Sequence, residues 1–416
     1  MHEQQQQQQH RVTAAAVVVG AGYGYFGAAM AGAQLTLAPA LGLTVAEQGT
    51  LFAVPVLGML LGVLVAGRVV ARAGRRGTLL GASAVVAVVG GASPLVADLV
   101  WLDATRFVVG VAFGVSTVVV PIWVAEAAPA GVRGRVAVLY QVSTVAGIVA
   151  AFLLAYALGG WRVVLGVTAP LAALAVVLLR GAPETVPGEV RPAAAGGVVA
   201  ELFGPRYRTL TGFVVVLGTL VQLTGISAVS NFSPLIFAGM GYRGELALLV
   251  LPAVVQVSGL LAALASAATV ERLGRRATLL TGTAVMAVGH ALLVLAFAGD
   301  RGGTALGLAG LLVFTVGFNA GLGSLLWIYA AEGYTDRLRS AGATALLLPN
   351  LTANVLLAQF FLGALTAFGG AATFGVLLGI TALSWLYLFR VAPETRGRSL
   401  DEIHAYWQAG RRWPAY

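Results

Sequence analysis

Charged side chains are scarce in this chain, and several of its arginines fall into two copies of one pattern. The first copy runs Gly67-Arg-Val-Val-Ala-Arg-Ala-Gly-Arg-Arg76 into Thr78-Leu-Leu80. The second runs Ala267-Ala-Thr-Val-Glu-Arg-Leu-Gly-Arg-Arg276 into Thr278-Leu-Leu280. Beside them, Glu126 precedes Arg133 by the same interval at which Glu332 precedes Arg339. Carboxylates and guanidinium groups repeated in this way can do ion-pair chemistry. Arg72, Arg75, Arg76, Glu126 and Arg133, with Glu271, Arg272, Arg275, Arg276, Glu332 and Arg339, are expected to form a lattice at one membrane face. It would pair when that face is shut and separate when it opens. Asp103 and Arg106 lie inside an apolar stretch and share a helix face, so they are expected to pair with each other. Covalent and metal chemistry find no support. The chain has no cysteine and four histidines, and no nucleophile–base pair, metal cluster or phosphate loop is evident. No catalytic residue, metal or cofactor is expected, and the chain is not read as an enzyme.

The elements that must hold these charges are membrane helices. Hydrophobic residues make up 59% of 416 and charged residues 10%, with a mean hydropathy of +0.90, whereas soluble domains carry about a quarter charged residues. That much apolar sequence supplies about twelve spans of roughly 20 residues. Breaks at charges and Gly/Pro turns put them near 12–40, 48–70, 78–97, 102–127, 134–159, 161–180, 207–238, 246–270, 277–298, 304–332, 340–367 and 370–391. All 25 basic residues are arginine, and only Arg106, Arg162, Arg243 and Arg301 fall within or beyond the membrane if both termini are cytoplasmic. That asymmetry is what the positive-inside rule predicts for an even number of spans. The pI near 10.3 therefore reflects arginines held on one face, not a nucleic-acid partner.

The expected organisation is a disordered polar tail over 1–11, a six-helix bundle over 12–180, a cytoplasmic linker over 181–206, a second six-helix bundle over 207–392 and a cytoplasmic tail over 393–416. The glutamine-rich start lacks the features of a signal peptide. Val124-Ala-Glu126 recurs as Ala330-Ala-Glu332, and Pro183-Glu-Thr185 as Pro393-Glu-Thr395, so the halves are a parallel repeat. An all-α, multi-pass protein of the cytoplasmic membrane follows, expected as a monomer in lipid.

An ordered series of motifs resembles the sugar porter family of the major facilitator superfamily. It comprises Arg106-Phe-Val-Val-Gly110, Pro121 with Glu126, Pro129, Arg133 and Gly134, Gln222-Leu-Thr-Gly-Ile226, Glu271 through Arg276, Trp327 with Glu332, Pro393-Glu-Thr-Arg-Gly397 and Leu400 with Glu402-Ile403. The resemblance implies the major facilitator fold and alternating access, with two bundles rocking about a midplane site for a monosaccharide or polyol. By the same resemblance Gln141, Gln222, Trp327, Asn350 and Asn354 occupy sugar-contacting positions. Ser227 replaces an asparagine, and Ser230-Asn231 a tyrosine pair. Amides suit such a ligand, because each both donates and accepts hydrogen bonds without a charge to desolvate. An indole covers an apolar sugar face and donates one bond.

Two departures matter. Gly323-Ser-Leu-Leu326 stands where the family has Gly-Pro-x-Pro before the tryptophan. Phe26 stands where proton-coupled members carry an aspartate, and no acid occurs from Val12 to Leu41. Uncoupled facilitated diffusion is therefore expected. The alternatives are proton symport and carriage of a drug or an organic acid. The amides could instead be interhelical glue, worth about 0.6 kcal/mol each, and His290 is read as a packing residue.

Overall fold

The computed structural model describes residues 2–96, 98–127, 133–184, 200–299, 303–335 and 337–413, and no strand occurs among them. The helices are α1 (His2–Leu41), α2 (Val45–Val85), α3 (Leu99–Ala127), α4 (Arg133–Leu158), α5 (Trp161–Gly166) and α6 (Thr168–Arg180) in the first half. The second half holds α7 (Arg208–Leu223), α8 (Ile226–Gly239), α9 (Leu251–Leu273), α10 (Arg275–Ala298), α11 (Gly303–Ala320), α12 (Leu322–Gly333), α13 (Arg339–Val391) and α14 (Leu400–Gln408). At the start of the chain, α1 runs back to His2 through the glutamine run. Glutamine is a good helix former, and the apolar turn from Val12 onward supplies the nucleus to extend.

Where the chain starts and stops its helices follows local chemistry. Thr44 accepts from the Glu47 backbone N–H while the Glu47 carboxylate accepts from Thr44 N, so α2 begins with a reciprocal cap. The apolar helical stretches Val45–Leu95 and Ala341–Val391 are 51 residues each. At 1.5 Å per residue that is about 76 Å, against ~30 Å of hydrocarbon. Each is broken at one positive-φ glycine, Gly74 (φ 71°) and Gly369 (φ 77°), and so crosses twice. Ten apolar stretches thus give twelve spans. Two spans are themselves interrupted midway: the seventh at Gly225 (φ 94°) between α7 and α8, and the tenth at Gly321 between α11 and α12.

Lipid offers no hydrophobic gain between helices, so close backbone approach must supply the attraction. Gly58 and Gly110 press α2 against α3, where a Cβ would meet Phe107 O and Pro55 O, each at 2.2 Å. Gly147 does the same for α1 and α4, with Ala21 O at 2.1 Å from its would-be Cβ.

Between the halves, the hydrogen bonds and ring contacts all lie at the end opposite the arginines, among the described residues. Gln34 Nε2 donates to Asn231 O at 3.3 Å, and the Phe52 and Phe232 rings meet at 4.7 Å. Thr50 Oγ1 donates to Gln359 Oε1, whose Nε2 donates to Ala46 O. The molecule is therefore closed at its far end. A Gly147→Leu substitution is expected to drive α1 from α4 and abolish recovery of monodisperse protein in detergent. Normal yield and an unchanged elution profile would contradict that seam.

Candidate functional site

Three of the expected polar residues meet at the break in the seventh span. Ser227 Oγ, just past Gly225, donates to Gln222 Oε1 at 2.7 Å. Gln222 Nε2 donates to Asn350 Oδ1 on α13 at 3.2 Å, and Asn350 Nδ2 donates to Gly218 O at 3.0 Å. Gly218 permits this reach, since its would-be Cβ lies 2.5 Å from Leu346 O and α7 touches α13 there. Each donor in the chain has one acceptor, so both amides are fixed in orientation. The remaining N–H groups and lone pairs can serve a neutral, hydroxyl-bearing ligand.

Other expected contacts are not joined to this chain. Asn354 stands one turn from Asn350 on α13, and its Oδ1 is buried without a hydrogen-bond partner. Gln141 on α4 is exposed, and Trp327 on α12 is 43% exposed. Neither makes a side-chain hydrogen bond among the described residues. Asn231 enters through its backbone carbonyl, as acceptor from Gln34.

The buried charges depart from expectation. No ion pair joins Asp103 to Arg106, and Asp103 Oδ1 is buried without a hydrogen-bond partner. Arg106, 3% exposed, turns instead to α1 and α2. Its guanidinium carbon lies 4.7 Å from the centre of the Phe26 ring, and its Nε donates to Leu51 O at 3.3 Å. The reason is local: Pro55, four residues beyond Leu51, has no N–H, so the Leu51 carbonyl lacks its helical donor. The glycine seam at Gly110 brings α3 close enough for Arg106 to supply one.

The arginine end is built twice over. In the first half Arg75 pairs with Glu126 at 3.2 Å. In the second, Arg275 pairs with Glu271 at 2.8 Å and Glu332 at 3.3 Å. Arg76 and Arg276 do not join the acids through their side chains. Arg76 donates to Leu179 O and Arg180 O in the last turn of α6, and Arg276 to Phe389 O in the last turn of α13. Arg72 and Arg272 are exposed, with no ion pair among the described residues. The side chains of Arg133 and Arg339 lie outside the described residues. All these pairs fall within one half, so parting the halves need not stretch them.

The sequence reading marked Pro183-Glu-Thr185 and Pro393-Glu-Thr395 only as repeat signs, yet both acids have work at this end. Glu184 accepts from Arg76 N, and Glu394 from Arg275 N and Arg276 N, capping the helix that restarts after Gly74 and Gly274. Trp123 Nε1 and Tyr329 OH, equivalents in the repeat, donate to Pro183 O and Pro393 O. Thr395 Oγ1 adds a bond to Glu332 Oε2 at 2.7 Å. The recurrence of these tripeptides beyond each last span was the available signal. His290 is a packing residue: its Nδ1 meets Thr381 Oγ1 at 3.1 Å, and its ring lies 4.5 Å from that of Phe314.

Two six-span halves, broken helices in the second of them and an uncharged amide chain beside one break define a membrane carrier with the major facilitator fold. The chain belongs to the sugar porter family of that superfamily: the family model described as "Sugar (and other) transporter" matches residues 2–187 and 191–407. It is a membrane transporter, not an enzyme. It is 26% identical over 427 residues to the arabinose-proton symporter of Bacillus subtilis, covering 92% of each chain. It is 28% identical over 346 residues to the galactose-proton symporter of Escherichia coli K12, covering 74% of this chain and 75% of that one. Among solved structures, a D-xylose-proton symporter matches with a TM-score of 0.82 at 21% identity, covering 94% of this chain and 99% of the other. The inward open conformation of the xylose transporter XylE from E. coli matches with a TM-score of 0.81 at 20% identity, covering 95% and 99%.

A capping carboxylate at a helix start is worth about 0.5–2 kcal/mol. Glu394→Ala, which removes the acceptor, is therefore expected to lower the thermal midpoint of the detergent-solubilised protein. A midpoint equal to that of the parent would remove the capping role.

Proposed function

We propose that this sugar porter carries a monosaccharide or similar polyol across the cytoplasmic membrane by alternating access, without coupling to protons. Both termini and the arginine end face the cytoplasm, and the chain acts as a monomer. Support for a neutral polyhydroxy substrate comes from the Ser227–Gln222–Asn350 chain, which offers donors and acceptors and no charge. Gln141, Trp327, Asn231 and Asn354 complete the substrate contacts as the bundles rock. An organic acid is disfavoured, because the nearby buried cation, Arg106, is already engaged.

The single observation behind the uncoupled reading is the contact of Arg106 with Phe26. A proton-driven carrier needs a carboxylate that gains and loses its proton as the halves move. Here the arginine that would face such a group stacks on a ring that cannot titrate, and its Nε is committed to a backbone carbonyl. A second reading, proton symport, is favoured by the names of the relatives and by Asp103, a half-buried carboxylate one turn from Arg106 whose Oδ1 has no hydrogen-bond partner.

Proteoliposomes loaded with buffer and given an inward pH gradient separate the two. Facilitated diffusion predicts that labelled arabinose, galactose or xylose equilibrates and stops, with Asp103→Asn retaining uptake. Accumulation above the external concentration, lost in Asp103→Asn, would establish symport in its place. Gln222→Leu, which breaks the amide chain, is expected to cut uptake at subsaturating sugar at least tenfold, and undiminished uptake would remove Gln222 from the site.

A further inference from the structure

One amide of the first span has no counterpart among the residues considered so far. Gln34 is 2% exposed, sits at the far end of α1, and bridges to the seventh span by donating to Asn231 O at 3.3 Å. Its Oε1 is buried and has no hydrogen-bond partner. A buried acceptor without a donor costs more than one added neutral hydrogen bond returns. An unbranched apolar side chain of the same length would seal this end at lower cost. Gln34 is therefore a poor device for holding the far end shut, and its polar groups must be accounted for in another state.

A second polar pair lies on the same outer half of the seventh span. Gln256 Nε2 on α9 donates to Ser230 Oγ on α8 at 3.1 Å. Ser230 is two turns beyond Gln222 and adjacent to Asn231, past the break at Gly225. In the closed far end, the Phe52–Phe232 contact, at 4.7 Å, brings the two halves together on this side of the molecule. Opening the far end must carry α8 away from α1, since the Gln34 bond crosses between the halves. Gln34 is then released from Asn231 O, the carbonyl next along α8 from Ser230.

We propose that Gln34, Ser230 and Gln256 form an outer docking subsite for a polyhydroxylated ligand. It is separate from the Ser227–Gln222–Asn350 chain, and in the closed state Gln34 is tied to Asn231 O and Gln256 to Ser230. The subsite rests on the sugar-carrier reading above. Gln34 would offer one donor and one acceptor to neighbouring hydroxyls, and Gln256 a donor from the opposite wall. Ligand meets this tier first on entry from the far side, before the amide chain two turns deeper.

The test uses sugar hydroxyls as the probe. Radiolabelled arabinose, galactose and xylose are offered to proteoliposomes, and uptake of a transported one is inhibited from outside by its monodeoxy analogues. The unsubstituted chain is expected to lose roughly threefold to tenfold in inhibition for the analogue lacking the docked hydroxyl. In Gln34→Met, which keeps the side-chain length, that particular loss disappears while the losses for other hydroxyls remain. Gln256→Leu does the same for its own hydroxyl. A residue acting only on the open–closed balance would scale every inhibition constant by one factor, and that uniform pattern, or an unchanged one, overturns the subsite. Absence of uptake of any sugar by the unsubstituted chain is a different failure: it overturns the sugar-carrier reading, and the subsite falls with it.

Discussion

Hydrocarbon holds no water to satisfy a freed backbone carbonyl, and that constraint organises this molecule. Where the helical ladder is interrupted, side chains take over, from a neighbouring span or from the same one. Pro55 frees the Leu51 carbonyl, and Arg106 of α3 donates to it. At the arginine end, Arg76 and Arg276 donate to carbonyls in the last turns of α6 and α13. Those repairs need short reach, and the glycine seams provide it. Gly110 lies one turn beyond Arg106 on α3, and Gly218 lies where Asn350 delivers its amide. The polar groups of the site are thus bound to the same backbone geometry that holds the spans together.

The duplication explains why the arginine end is stiff while the centre can rearrange. Each half carries its own copy of a capped helix restart, an arginine on the last carbonyls, and an aromatic donor to the proline carbonyl before the capping acid. None of these contacts crosses between the halves. Each half can then turn as a unit, and the cost of turning falls on the few contacts at the far end and on the broken seventh and tenth spans.

Much of this was legible in the sequence, for identifiable reasons. Spans announce themselves by length and hydropathy, and the repeated arginine turns mark the two halves. The two Pro-Glu-Thr signs marked the repeat, but nothing in a lone glutamate says that it caps a helix across a turn. Arg106 was marked as a buried charge. Its partners could not be read, because Asp103 shares its helix face while Phe26 and the carbonyl freed by Pro55 come from other spans. Gln222 and Asn350 were identified through a family likeness, whereas Gln34 and Gln256 follow no motif and become visible only once α1, α8 and α9 are packed. Trp327 was expected beside the amides; it is 43% exposed and makes no side-chain hydrogen bond among the described residues.

Movement of the two halves about the amide chain is the claim on which transport rests. The chain has no cysteine, so two introduced thiols are the only ones, and spin-label distances are free of background. Labels at Val45 and Phe368 report the far end, and labels at Arg72 and Leu273 the arginine end, all exposed positions. Alternating access predicts that a bilayer-embedded population shows two far-end distances, the longer of them matched by a shorter arginine-end distance, with sugar redistributing the two. A single unchanging distance at each end, with and without sugar, would contradict it.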